Sequence, residues 1–415
     1  MIRTTDSLII EQIAESIDIP DSAYEKAETR YKDLADWFGR KEAHCNKFEP
    51  HIYPQGSFRL GTVVRPVHPD GEYDLDMGCR LKVGIAKATH SQKQLKELVG
   101  ADLEEYRTAR GIKEALEAKH RCWRLQYADV LKFHLDAVPS IPETAARRRQ
   151  LQDILTLGGL PADLAALITQ TTNAITDDRH WNYSIINEDW RLSNSEGFAH
   201  WFQSRMKLAK VLLQNRALEA RAAQVDDLPA YRWKSPLQRC VQLLKRHRDI
   251  KFEKDPEGQP ASIIITTLAA RAYQGEADIG EALNRILSTM GSLVNRTSPR
   301  VPNPVNPAED FADRWNDPAS SKLKLEEKFW GWLHDAQIDF GAVEKERNAT
   351  LIMNTARAKF GAALDPVELQ AKLELNPTGG LLRAAVTPAA LSFPDKPLVP
   401  TKPAGFAYPR RRATA

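Results

Sequence analysis

The feature that most constrains this chain is a five-residue alternation, Tyr73-Asp74-Leu75-Asp76-Met77, in which two carboxylates are separated and flanked by apolar residues. Successive side chains of an extended strand point to opposite faces, so Asp74 and Asp76 share one face while Tyr73, Leu75 and Met77 share the other. Parallel carboxylates held this close repel, and a strand that presents them to a pocket does so for a cation. Seventeen positions before Asp74, Ser57 lies within Gln55-Gly56-Ser57-Phe58-Arg59-Leu60-Gly61-Thr62. Gly56 lets a backbone N–H approach a phosphate closely, and the Ser57 hydroxyl can donate to it. A third carboxylate, Asp136, stands at the centre of the strand-like run Phe133-His134-Leu135-Asp136-Ala137-Val138-Pro139. Burial there is costly unless the charge is neutralised.

Singly, these residues also fit an acidic face on an edge strand and an ordinary turn. As an ordered set they predict a site in which Asp74, Asp76 and Asp136 hold two Mg²⁺ ions, with Mn²⁺ able to substitute. One ion would serve a nucleoside triphosphate and the other an attacking sugar hydroxyl, with Asp136 as ligand or base on the activating side.

With 415 residues, 42% hydrophobic and 27% charged, the chain has enough apolar surface for two packed domains. The net charge of +3 is too weak to argue for nucleic-acid binding in bulk, so any anion site must be local. Cys45, Cys79, Cys122 and Cys240 are scattered and form no C-x-x-C pair, which disfavours a zinc site or a disulfide framework. No apolar run is long enough for a membrane helix and the N-terminus does not read as a signal peptide, so a soluble cytoplasmic protein is expected.

Apolar spacing predicts a helix from Ser7, a break at Pro20 and a long helix to about Lys47. Short β-rich runs follow at 51–53, 62–67, 73–81, 123–127 and 130–138, with a helical stretch over 91–120 between them. An insertion is expected at 144–172, extended chain at 174–183 and a loop at 190–197. Helices are expected over 198–218, 236–252, 262–273, 279–292, 310–315 and 321–340. Beyond about Asn376 the chain is Pro- and Gly-rich, with Pro394, Pro397, Pro400 and Pro403 at every third position and Arg410-Arg411-Arg412 near its end. The expected domains are N-terminal helices at 1–47, a catalytic core at 48–197, a helical domain at 198–345, and a last helix with the tail at 346–415. The fold class is α+β, bilobed with the site in a cleft.

The order G-S-F-R-L-G-T, Y-D-L-D-M, F-H-L-D-A-V-P resembles the polymerase-β-type nucleotidyltransferase superfamily. The stretches Trp190-Arg-Leu-Ser-Asn-Ser-Glu-Gly197, 235–249 and 303–315 narrow the resemblance to the bacterial cGAS/DncV-like nucleotidyltransferases of anti-phage (CBASS) defence, most closely the group called clade D. It spans roughly 7–340. The resemblance implies a polymerase-β-like core with a C-terminal helical domain, Asp74, Asp76 and Asp136 as the metal-binding triad, and Ser57 as a phosphate contact. It puts Lys245 against the triphosphate and allows a contact from Ser262. The residues themselves leave open that Lys245 belongs to a solvated helix face. It further implies a cyclic di- or, in preference, trinucleotide made from ATP, alone or with GTP or another NTP, which activates an effector. A HORMA-domain activator is a further implication. The scattered cysteines argue against the zinc insertion of the DNA-sensing animal relative, and so against direct DNA activation. The alternative keeps the chemistry but transfers the nucleotide to RNA, tRNA or protein; a non-catalytic nucleotide-binding module is a third reading. Arg147-Arg148-Arg149 and Arg410-Arg411-Arg412 fit solvated charge runs better than binding patches.

Overall fold

A computed structural model describes residues 5–68, 70–127, 132–214 and 234–374. The Pro-rich tail with Arg410, Arg411 and Arg412, the end of the helix expected over 198–218 and the start of the strand expected at Val130 lie outside the described residues. The chain opens with helices α1 (Thr5–Ser16) and α2 (Asp21–Phe38), separated at Pro20 as expected. Strand β1 (Pro50–Pro54), the short helix α3 (Gly56–Leu60) and strand β2 (Tyr73–Leu81) follow. Helix α4 (Gln92–Ala109) leads to β3 (Glu117–Ala118), β4 (Trp123–Tyr127) and β5 (Phe133–Pro142). Helices α5 (Ala145–Leu157) and α6 (Ala162–Gln170) precede β6 (Asn173–Ile175) and β7 (Arg191–Ser193). The remainder is mostly helical: α7 (Ser195–Gln214), α8 (Pro236–Lys251), α9 (Ser262–Ala272), α10 (Ile279–Thr289), α11 (Leu325–Lys345), α12 (Ala349–Phe360) and α13 (Pro366–Glu374). A small hairpin of β8 (Pro302–Asn303) and β9 (Asn306–Asp310) interrupts it.

Strands β1 to β7 form one mixed sheet, with the path β1-β2-β5-β4-β3 and β6 and β7 added beside the far end of β5. The β2–β5 pair is parallel and the other pairs are antiparallel. Along β2, Tyr73, Leu75, Met77, Cys79 and Leu81 are buried. They pack with Leu95, Val99 and Leu103 of α4 and with Ala27, Leu34 and Phe38 of α2 in one apolar core. A second core gathers α1 with α7 to α12, through Ile9, Ile13, Phe202, Leu244, Leu268, Trp332 and Phe360 among others. This is the α+β architecture expected, a mixed sheet with helices followed by a helical part.

Several local expectations need correction: helix α2 ends at Phe38, short of Lys47, and the chain expected to be extended over 174–183 is a strand only to Ile175. Residues 62–66 are not a strand. Two of their carbonyls are taken by side chains of α8 instead of a neighbouring strand, Gln242 Nε2 donating to Val63 O (2.6 Å) and Lys245 Nζ to Thr62 O (3.0 Å), while Gln238 Nε2 donates to Leu60 O (2.9 Å) at the end of α3. These donors recur at four- and three-residue intervals and so share one face of α8. Residues 190–197 are not simply a loop, because Arg191–Ser193 pairs with β6. Asn194 ends that strand by capping α7, its Oδ1 accepting the Gly197 N–H at 2.9 Å while its Nδ2 donates to Ile168 O at 2.7 Å. The helix expected over 310–315 shrinks to one turn at Asp313–Trp315. Here the Asp310 carboxylate captures the N–H groups of Arg300, Val301 and Ala312, an alternative to helical bonding. The helical stretch expected over 91–120 stops at Ala109, and β3 follows within it.

Candidate active site

Asp76 of β2 and Asp136 of β5 are directly opposed across the parallel pair, and Asp74 lies two residues from Asp76 on the same face. One carboxylate oxygen from each of the three lies within 4.8 Å of the others. An all-oxygen set of this size suits a hard divalent cation such as Mg²⁺ or Mn²⁺. The electrostatics agree. Burial, reinforced by the charges of Asp74 and Asp136, pushes the Asp76 carboxyl up to about 7, against the pull of Lys245 and Arg124. Asp74 is also raised, by lost hydration and by Asp136. Like charges crowded together, with Asp74 exposed and Asp76 and Asp136 half-buried, favour a cation that would neutralise them.

The Gly-Ser turn is built onto this pair. The Gln55 N–H donates to Asp76 O at 2.9 Å, and Tyr31 Oη to the same carbonyl at 3.3 Å. Gly56 has φ +62°, and a Cβ placed on it would lie 1.9 Å from Asp76 Oδ2. Only glycine allows that approach. Ser57 follows, half-buried, in the first turn of α3. The two motifs read separately in the sequence are therefore in contact.

Lys245 is buried, so the solvated-face reading is excluded. Burial, with Arg248 adding to it, lowers its ammonium to about 8, while the charges of Asp249, Asp76 and Asp74 act in the opposite direction. Its charge is thus felt at the triad. Ser262, the first residue of α9, accepts from Arg248 Nη1 at 2.6 Å and is linked to the α8 face through that arginine. It is not joined to the carboxylates by any hydrogen bond among the described residues.

Sequence reasoning missed Arg124. Its Nε and Nη2 each donate to one oxygen of Asp136, both at 2.7 Å, and the two residues are antiparallel partners in register. The alternation Trp123-Arg124-Leu125-Gln126-Tyr127 carried the signal, since Arg124 and Gln126 must share a face. It also missed the continuation of the polar face beyond Asp76. The Tyr53 ring fills the space a Gly78 side chain would take, 2.1 Å from its Cβ position. The Tyr53 hydroxyl accepts from Asn173 Nδ2 at 3.1 Å, and Arg80 Nη1 pairs with Glu196 Oε2 at 2.8 Å. Glu196 belongs to the stretch 190–197 that supported the family resemblance.

Residues 50–139, which hold all three carboxylates and the Gly-Ser turn, match the family described as "Cyclic GMP-AMP synthase DncV-like, nucleotidyltransferase domain". The c-di-GMP synthase of Roseivirga ehrenbergii is 30% identical over 338 residues, covering 80% of this chain and 78% of its own. The chain belongs to the bacterial cGAS/DncV-like nucleotidyltransferase family. A second relative, the cyclic dinucleotide synthase CdnG of Bradyrhizobium diazoefficiens, is 25% identical over 323 residues, 74% of this chain and 69% of CdnG. The structure of that CdnG in complex with GTP shares the fold, with a TM-score of 0.60 at 22% identity over 89% of this chain and 98% of the other. The fold is also that of Escherichia coli CdnC in its HORMA complex, with a TM-score of 0.54 at 14% identity over 86% and 97%. This DncV-like nucleotidyltransferase thus has the polymerase-β-like fold expected, and its homologues are cyclic dinucleotide synthases. No helix among the described residues is long and apolar enough to cross a membrane.

Proposed function

We propose that this chain is a cyclic dinucleotide synthase that joins nucleoside triphosphates, GTP or ATP among them, at the carboxylates of Asp74, Asp76 and Asp136. The observation that carries the reading is the convergence of these three groups within 4.8 Å on the face where Gly56 touches Asp76. The names of the two relatives favour a dinucleotide over the trinucleotide preferred from sequence.

Each half-reaction forms a bond from a ribose hydroxyl of one nucleotide to the α-phosphorus of the other and expels pyrophosphate, with one proton lost from the hydroxyl. Repeating it within the linear intermediate closes the ring. The backbone and hydroxyl of Gly56-Ser57 would donate to the triphosphate, and Lys245 would place its charge beside it. Ser262 would act through Arg248. Asp136, in register with Asp76, would orient the attacking hydroxyl and receive its proton. Two divalent cations, Mg²⁺ or Mn²⁺, held by the three carboxylates, would supply neutralising charge for the phosphates and acidify the hydroxyl. The product would activate an effector in CBASS anti-phage defence, and a HORMA-domain protein is the expected class of activator, given the CdnC complex of the same fold.

Incubation with all four NTPs and Mg²⁺, phosphatase treatment and mass spectrometry test this. A phosphatase-resistant dinucleotide that disappears with EDTA and in the Asp74→Ala/Asp76→Ala variant is expected. Label transferred from NTP to RNA or protein instead would overturn it.

A further inference from the structure

The three carboxylates are not equally available. Among the described residues neither Asp74 nor Asp76 takes part in an ion pair, whereas both oxygens of Asp136 are held by the Arg124 fork at 2.7 Å. A bidentate guanidinium–carboxylate pair is the strongest geometry such a contact offers. The register fixes it, because Arg124 and Asp136 are backbone partners on adjacent strands and their side chains share the face of Asp74 and Asp76. Solvent screens it only in part, the Arg124 side chain being 25% exposed and that of Asp136 13%. Lys245, a second nearby cation, bonds instead to the Thr62 carbonyl at 3.0 Å. A divalent cation entering the triad would meet the Arg124 charge at contact range and compete with it for the same oxygens.

We propose that Arg124 is a resident counter-ion of Asp136 that competes with divalent cations, so that the nucleotide-free protein binds the ion served by Asp136 weakly. This rests on the reading that the three carboxylates hold metal. In this role Arg124 is a positioning residue, acting through Asp136.

The test is Mn²⁺ titration of the nucleotide-free full chain, with free Mn²⁺ followed by electron paramagnetic resonance. Arg124→Gln is expected to bind Mn²⁺ about tenfold more tightly than the unsubstituted protein, the scale on which partners of metal ligands act. Arg124→Lys, which keeps charge and loses the fork, should lie between them. In an Asp136→Asn background, Arg124→Gln should change nothing. A cooperative melt establishes that each variant is folded; should Arg124→Gln not fold, Arg124→Lys decides, and unchanged affinity in it overturns the proposal. Equal or weaker Mn²⁺ binding by folded Arg124→Gln overturns this inference alone. Absence of Mn²⁺ binding in every protein overturns the metal reading with it.

Discussion

At the scale of residues, the site depends on Gly56 and on the ionisation of Asp76. A Gly56→Ala methyl would meet Asp76 Oδ2 at 1.9 Å on a backbone with φ +62°. Displacing a reacting group by about 1 Å costs on the order of 100-fold in rate. Gly56→Ala is therefore expected to lose about that factor in product formation by mass spectrometry, with a smaller loss in thermal stability. The pH dependence follows from Asp76, whose carboxyl rises from 3.8 to about 7. Between those values the folded protein holds a proton that the unfolded chain has released, so the stabilisation present at low pH is lost as pH rises toward 7. Without metal, the melting temperature of the unsubstituted protein should fall relative to that of Asp76→Asn between pH 5 and 8. On the order of 2 kcal/mol is expected, the shift being shared between coupled carboxylates. Added Mg²⁺ should reverse that fall, and parallel pH profiles for the two proteins would exclude Asp76 as the source.

At the scale of elements, α8 ties the helical part to the segment that carries the Gly-Ser turn into β2. Gln242 is fully buried and its Nε2 donates to Val63 O at 2.6 Å. Gln242→Leu leaves that carbonyl without its donor, at a cost of about 1 to 3 kcal/mol measurable by denaturant unfolding. Lys245→Met keeps the length of the side chain and removes the charge. It is expected to lower kcat/KM for the triphosphate about 100-fold without unfolding the protein, since loss of the Thr62 contact is offset by no longer burying an ammonium. Helix α8 also shows why residues 62–67 could not be read from sequence. Their apolar character is that of a strand, and only the presence of Gln242 and Lys245 in space substitutes for a pairing partner.

At the scale of the whole molecule, the N-terminal chain joins both cores. Helix α1 packs in the helical core through Ile9, Ile10 and Ile13, joined by Ile17 just after it, whereas α2 packs against the sheet. Between them, Ile17 O accepts the Arg65 N–H at 2.9 Å, and Asp18 accepts from Arg239 Nη1 at 3.0 Å and Gln242 Nε2 at 3.0 Å. Ile13 is wholly buried. Ile13→Ala should cost about 2 to 5 kcal/mol by chemical unfolding, and product formation should decline at temperatures where the triad itself is untouched. Sequence alone determined what depends on local order: the D-x-D face from strand alternation, the break at Pro20, the start of α8 at Pro236 and of α9 at Ser262, and the three carboxylates as a set. These are legible because side-chain direction follows from the backbone repeat of the element itself. Tertiary structure alone decided that Gly56 touches Asp76, that Lys245 is buried toward the triad, and that Arg124 holds Asp136. Each of these depends on how separate elements come together, and the strand register and helix packing that bring them together are set by the burial of both cores as wholes.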